Sequence, residues 1–457
     1  MTENRLSLNK TLLTTARCLS EVESGRSLSA LLSRVHPSER AAVQALSMYA
    51  MRHWGLAQAW RSIAMQRRSQ SGPLNSLVAL SLLLLDIAMV EEAATGRQGV
   101  PDSFQCPPGD GAPRYAVHTV VDQSVRAARL VSKASFAPRL LNAILRRFQR
   151  ERTLFVEAVA RDEVARWNYP AWWIAQVRDT YPDHWQSILQ VSQTAPDLVL
   201  RVNQRRSSVQ QVLSSLEDAG VQAVHVGGAA IKVRSAGAIE RLPGFEAGWW
   251  SVQDLSAQQA APLLGLRGGA RVLDACSAPG GKAAHILELA NVSLTAVDQD
   301  ARRLEMVREN LERLGLLDPE RVQLVHADLL HSRAWAGSAP FDLILADVPC
   351  TASGVVRRHP DIAWLRRQSD LEQTVALQRA IVDAIWPALV PGGRLLLATC
   401  SIFEQEGEAQ AVAMLERHAD ARRLPAPGLI LPESAGEQMT CGHDGFFYAL
   451  FTKEARA

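Results

Sequence analysis

Apolar residues recur at helical spacing through the first third of the chain. "AAVQALSMYAMRHW" and "APRLLNAILRRFQRER" are the clearest runs, and no strand-like alternation interrupts them. The longest apolar run, residues 77–90, contains Asp86 and is too short to span a bilayer, so it predicts a buried helix. Residues 93–113, "AATGRQGVPDSFQCPPGDGAP", break the pattern with Gly, Pro and Asp and read as a long loop. Cys106 within it reads as incidental.

The pattern then mixes. "EAVARDEVARWNYPAWWIAQVRDTYPDHWQSIL" is helical and broken at Pro170 and Pro182. "DLVLRVN" reads as a strand, "SSVQQVLSSLEDAG" as a helix stopped at Gly220, and "VQAVHV" and "AIKVR" as two more strands. The expectation is a small α+β module. Its sheet either offers a face to RNA or serves structure alone.

From about Leu242 strands and helices alternate. "ARVLDAC" leads through "SAPGGK" into a helix, and "LTAVD" into "DARRLEMVRENLERLG". "VQLVHAD", "FDLILADVP", a helix near Asp370 to Leu389, and "GRLLLATCS" follow, with late strands near Ile430 and in "GFFYALF". Repeated β–α units with near-continuous apolar strands predict a mostly parallel, doubly wound sheet.

Composition adds a charge asymmetry. The net charge is +2, yet residues 1–155 hold 20 Lys and Arg against 11 Asp and Glu. That bias points either to a polyanionic partner or to a solvated arginine-rich surface. The amino terminus, "MTENRLSLNK", lacks the apolar core of a signal peptide. The 6 cysteines (Cys18, Cys106, Cys276, Cys350, Cys400 and Cys441) are scattered, with no CxxC. This usage predicts free thiols in a reducing cytoplasm, no structural metal, and no membrane association.

The strand ends carry the chemistry. The first ends in Asp274-Ala-Cys-Ser-Ala-Pro-Gly-Gly-Lys282, where adjacent glycines and a helix amino terminus let backbone N–H groups approach a ligand. It is neither a P-loop nor GxGxxG. The second ends in Asp298, placed either for ribose hydroxyls or to cap the next helix. The third leads to Asp328, placed either near an adenine amino group or to cap a turn. An acid at successive strand ends, with no polyphosphate loop, points to S-adenosylmethionine rather than NAD or ATP. Two thiols stand at later strand ends, Cys350 after Asp347-Val-Pro and Cys400 after "LLLAT". A buried cysteine is also a common small hydrophobe. That plain reading is kept for Cys18, Cys106 and Cys441, and for Cys276 as regards catalysis.

"DACSAPGGK", "DVPCTASGVVRRHPDIAW" and "ATCS" closely resemble motifs of the RNA cytosine-C5 methyltransferases of the NOL/NOP/Sun family. "YAVHTVVDQSVRAAR" and "LLNAILRRFQRER" resemble the NusB-like helical domain of one bacterial branch. "LPGFEAGWWSVQDLSAQQA" resembles that branch's entry to the catalytic domain. The resemblance covers nearly the whole chain. It implies an α/β architecture in three parts: an all-α NusB-like RNA-binding domain (1–151), a small α+β, RRM-like module (152–241) and a Rossmann-like methyltransferase domain (242–457). It also implies S-adenosylmethionine as cofactor and 16S ribosomal RNA as partner of a cytoplasmic monomer. Cys276, Ser277, Ala278, Pro279, Gly280, Gly281 and Lys282 would hold the cofactor, with Asp298 on the ribose side, Asp328 near the adenine and Asp347 near the methionine end. Cys400 would be the nucleophile and Cys350 the thiol that helps release the product. The chain departs from the family pattern after Cys400, where "SIFEQEG" replaces a Pro-Glu-Glu-Asn-like run and keeps only Glu406 in register.

The chemistry explains the residue types. A thiolate adding to C6 makes cytosine C5 nucleophilic, and the C5 proton must later leave. Lys282 could help a thiol ionise, Asp347 could bond the cytosine N3–N4 edge, and Cys350 could assist proton removal. Arg357, Arg358 and His359 are candidates for the RNA backbone, with Asp361 and Trp364 ordering their loop; salt bridges bracing that loop are the alternative. Arg146 and Arg147, with Arg150 and Arg152, could face phosphates or simply solvent. Two other functions stay open: a DNA cytosine-C5 methyltransferase attacking through Cys350, and a non-enzymatic RNA-binding factor.

Overall fold

The structure is a computed structural model that describes residues 7–65, 72–95, 112–131, 136–234, 237–331, 335–337, 339–435 and 441–455. Most of the expected loop at residues 93–113, with Cys106, lies outside the described residues. The chain forms two compact units, Met1–Ala195 with Val356–Arg367, and Pro196–Val355 with Gln368–Ala457.

The first unit is helical. Its centre is the helix Pro73–Thr95, longer than the apolar run that predicted it and long enough to cross a membrane. It is instead a core helix, with 83% of its apolar window buried in the protein. Helices Leu8–Glu23, Trp54–Met65, Val117–Val131 and Ala137–Val159 pack around it. Asp86, the one charge in the run, is fully buried and meets Arg152 at 2.6 Å. Burial pushes the Asp86 carboxyl up, and the guanidinium opposes that shift. Breaking such a pair from one side costs roughly 3–5 kcal/mol.

Glu151 kinks the helix Ala137–Val159, which continues past the expected boundary at residue 151. The helices Glu163–Trp167, Ala171–Thr180 and Trp185–Val191, expected in the small module, lie within the first compact unit, and Glu163–Trp167 is tied to its helices directly. Asn168 shows why. Its side chain accepts from the Gly55 N–H at 2.8 Å and donates to the Met51 carbonyl at 2.9 Å.

The second unit opens with a four-stranded antiparallel sheet: β1 (Leu198–Val202), β2 (Ala223–Gly227), β3 (Ala230–Val233) and β4 (Trp250–Val252), in the order β2-β3-β1-β4. Its helix Val209–Asp218 is capped by the Ser208 side chain on the Gln211 N–H. β1 also sends Arg201, fully buried, to both oxygens of Glu288 at 2.9 and 2.8 Å and to the Gly281 carbonyl at 2.9 Å. The small sheet thereby braces the helix Gly281–Leu289.

The larger sheet has seven strands: β5 (Arg271–Asp274), β6 (Ser293–Asp298), β7 (Val322–His326), β8 (Phe341–Asp347), β9 (Leu389–Thr399), β10 (Ala421–Ile430) and β11 (Phe446–Lys453). The order is β10-β11-β9-β8-β5-β6-β7, with β9 to β7 parallel and β10 and β11 antiparallel. This is the Rossmann-like sheet the alternation predicts. The order reverses between β5 and β8, and a crevice at such a switch point is where open α/β sheets bind ligands.

Candidate active site

Four strands deliver polar groups to one edge. β5 ends at Asp274, β6 at Asp298, β8 at Asp347, and β9 one residue before Cys400. The loop after β5 turns through Gly280 at φ 94°, where a Cβ would come within 3.1 Å of Val307. That conformation and that close approach both require glycine. A cleft opens at this edge, lined by Cys276, Asp298, Asp328 and Pro349 among others.

Asp298 is 5% exposed and does not cap the helix that follows it. Asp300 does, accepting the N–H groups of Arg302 and Arg303 at 2.8 and 3.2 Å. Asp298 accepts the Ala278 N–H at 3.1 Å and the Asp300 N–H at 3.0 Å, which ties the glycine loop to β6. Asp328 caps a turn, accepting the Leu330 N–H at 2.8 Å, and it also lines the cleft. The turn-capping reading therefore holds. Asp274 is fully buried, and burial pushes its pKa up to about 7, with Ser277 opposing and the Asp347 charge adding to the rise.

Lys282 donates to Asp347 at 2.6 Å and lies 5.1 Å from the Phe446 ring centroid. Burial alone would lower the ammonium pKa. The Asp347 carboxylate and the Cys400 thiol beyond it instead hold it above its ordinary value. The two thiols meet, with Cys350 Sγ 3.5 Å from Cys400 Sγ, although 50 residues separate them. Their turns are stitched together: Gly354 N–H donates to the Cys400 carbonyl at 2.9 Å, and Ser353 and Ser401 hydroxyls meet at 2.8 Å. The Cys350 thiol is pushed well up by the bond to Cys400, by burial, and by the Cys400 and Glu406 charges.

The remaining predicted residues divide. Val356–Arg367 packs in the helical unit, where Asp361 accepts the Leu28 N–H at 2.8 Å and Trp364 lies over Gly55. Arg357 is only 3% exposed and its carbonyl accepts from Arg52 at 3.0 Å, so the expected phosphate interaction is closed to it by burial. Arg358 is half-buried and His359 exposed. Arg147 pairs with Glu151 at 2.8 Å, and Arg152 turns inward to Asp86. Arg146 and Arg150 are exposed and line a shallow groove with His118 and Gln149.

Sequence reasoning missed Gln299, Arg303, Leu377 and Ile381 in the cleft wall. Arg303 was findable, since it stands in the first turn of the helix that Asp300 caps. Leu377 and Ile381 read only as a core-facing pair four residues apart.

Residues 261–452 match the family model of "16S rRNA methyltransferase RsmB/F", and residues 169–240 match the RsmF/B-like ferredoxin-like domain. The chain is 40% identical over 346 residues to Ribosomal RNA small subunit methyltransferase B of Erwinia tasmaniensis, covering 75% of this chain and 79% of that one. The solved structure of PH0851 shares the fold at a TM-score of 0.70, 19% identity, and coverage of 97% and 99%. A methyltransferase homolog from Pyrococcus horikoshii aligns at a TM-score of 0.54 with 27% identity, covering 64% of this chain and 98% of that one.

Proposed function

The chain belongs to the 16S rRNA methyltransferase RsmB/F family, and from that premise we propose that it methylates C5 of a cytosine in small-subunit ribosomal RNA, using S-adenosylmethionine. The relative's name supports rRNA as substrate and a cytoplasmic place of action. The observation that carries the cytosine-C5 reading is the thiol pair, 3.5 Å apart and beside the Lys282–Asp347 ion pair.

The cleft fits the cofactor. Asp298 and Asp328 line it and offer acceptors to hydroxyl and amino groups, and at the end of β5 both oxygens of buried Asp274 lack a hydrogen bond that meets ordinary geometry. When bound, S-adenosylmethionine supplies an electrophilic sulfonium methyl. Residues 276–282 with Asp298, Asp328 and Asp347 would hold it. Cys400, as thiolate, adds to C6 of the cytosine and turns C5 into a nucleophile. Lys282 places a positive charge on that side of the site, and Asp347 faces the N3–N4 edge of the base. After methyl transfer Cys350 assists removal of the C5 proton. The C–H pair re-forms the C5–C6 double bond, and the bond to Cys400 sulfur breaks. The target base must leave its stack to reach these groups. In the helical unit, exposed Arg146 and Arg150 are the groups best placed for RNA phosphates.

Bisulfite mapping of small-subunit rRNA from cells with and without this protein tests the reading. One cytosine should lose its protection in the deletion strain and regain it when the gene is restored. An unchanged map would overturn the proposal.

A further inference from the structure

Glu406 is fully buried just beyond the Cys400 turn and takes no part in the chemistry above. Its carboxylate gathers donors from two other segments. One oxygen accepts the Thr351 N–H at 2.8 Å and the Thr374 hydroxyl at 2.6 Å, with Gln378 Nε2 at 3.5 Å. The other accepts the Thr351 hydroxyl. Gln378 in turn donates to the Pro349 carbonyl at 2.9 Å and accepts from Gln410 at 2.9 Å. The peptide groups on both sides of Cys350 are thus held, Pro349 by Gln378 and Thr351 by Glu406.

The turn needs holding. Ala352 sits at φ 60°, a conformation that residues with a Cβ adopt only when their surroundings impose it. Glu406 also anchors the Cys400 side, because its own carbonyl accepts the Thr399 hydroxyl at 3.2 Å. One glutamate therefore joins the residue after one cysteine to the residue before the other.

We infer that Glu406 is a positioning residue for the release step, fixing the Cys350 turn against the Cys400 turn so that Cys350 reaches the C5 proton. The inference rests on the roles proposed above for the two thiols. Glu406 touches neither base nor cofactor. It acts only through Thr351 and the Pro349–Cys350 backbone.

The test uses the full-length protein, S-adenosylmethionine, and small-subunit rRNA from cells lacking the enzyme. Turnover and the fraction of protein in a denaturation-resistant RNA adduct are measured for wild type, Glu406→Gln, Thr351→Val and Cys350→Ala. Glu406→Gln keeps the shape but turns an amide NH₂ toward groups that donate. It should lower kcat by about tenfold to a hundredfold, as a small misplacement of a reacting group does, leave KM for S-adenosylmethionine unchanged, and accumulate adduct. Thr351→Val, which removes one hydroxyl without changing shape, should show the same signature more weakly and covers the case in which Glu406→Gln does not fold. If Cys350→Ala accumulates adduct and neither of the other variants does, the positioning role is wrong. If Cys350→Ala itself forms none, the underlying assignment of the thiols fails instead.

Discussion

The two thiol turns differ in what surrounds them. Cys400 follows the last residue of β9, and its neighbour in charge is Lys282, itself fixed by Asp347 at 2.6 Å. Cys350 stands three residues beyond β8, in a turn held by Glu406 and Gln378 and bent through Ala352. A cation serves one and an anion the other. Two sulfurs 3.5 Å apart can therefore do different work, because the attacking species must be the thiolate. The Cys350 thiol, held well above its ordinary pKa, is disfavoured as the attacking thiolate.

The sharpest way to break this comparison is to remove each sulfur. Cys400→Ala should abolish methyl transfer, by roughly a thousandfold or more, since the covalent step has no substitute. It should also form no RNA adduct. Cys350→Ala should lower turnover by about a hundredfold or more, the scale of a lost acid–base group, yet leave an RNA adduct that survives denaturing electrophoresis. Adduct formation in Cys400→Ala, or its absence in Cys350→Ala, would exchange the roles.

Lys282→Met tests the charge on the Cys400 side. The change removes the cation and keeps the stem. Turnover should fall about tenfold to a hundredfold, as when one electrostatic partner of a reacting group is lost. The activity–pH profile should move to higher pH, because the attacking thiolate loses a favourable neighbour. An unchanged profile would mean that Lys282 serves only to orient Asp347.

The strand-end chemistry was legible because each motif is local. Asp274, Asp298 and Asp347 close apolar runs, and a glycine pair follows β5, so spacing alone set them at one edge of a sheet. The two cysteines could be placed on neighbouring strands, but not 3.5 Å apart, since that depends on the β8–β9 register of Asp347 with Ala398. Long-range partners stayed hidden. Asp361 caps Leu28 across 333 residues, and that one bond helps carry the segment after the Pro-Cys turn into the helical unit. Read locally, "RRHPDIAW" looked like a basic loop for RNA. In the fold it is a packed element with Arg357 buried. Arg201 reads in the sequence as a strand residue with no special task, yet it holds Glu288 and the Gly281 carbonyl of the helix that follows the glycine loop. Glu406 stands out in the sequence only for its register, and its four donors come from segments 28 to 55 residues away.

The smallest expected effect separates binding charge from reacting charge. In the helical unit Arg146 and Arg150 lie one turn apart on the exposed face of the helix Ala137–Val159, whereas Arg147 and Arg152 are engaged by Glu151 and Asp86. A guanidinium that meets a phosphate contributes by releasing counterions, so its loss weakens binding without altering chemistry. Arg146→Ala with Arg150→Ala should raise KM for rRNA by about threefold to tenfold and leave kcat in place. The slope of log affinity against log salt should become shallower by about 0.7–0.9 for each phosphate no longer neutralised. The paired Arg147, replaced by alanine, should change the salt slope far less, because its charge is already met by a carboxylate. Equal slopes for the two kinds of variant would show that exposure on this helix does not mark the RNA face, and that the basic excess of the first 155 residues belongs to solvent.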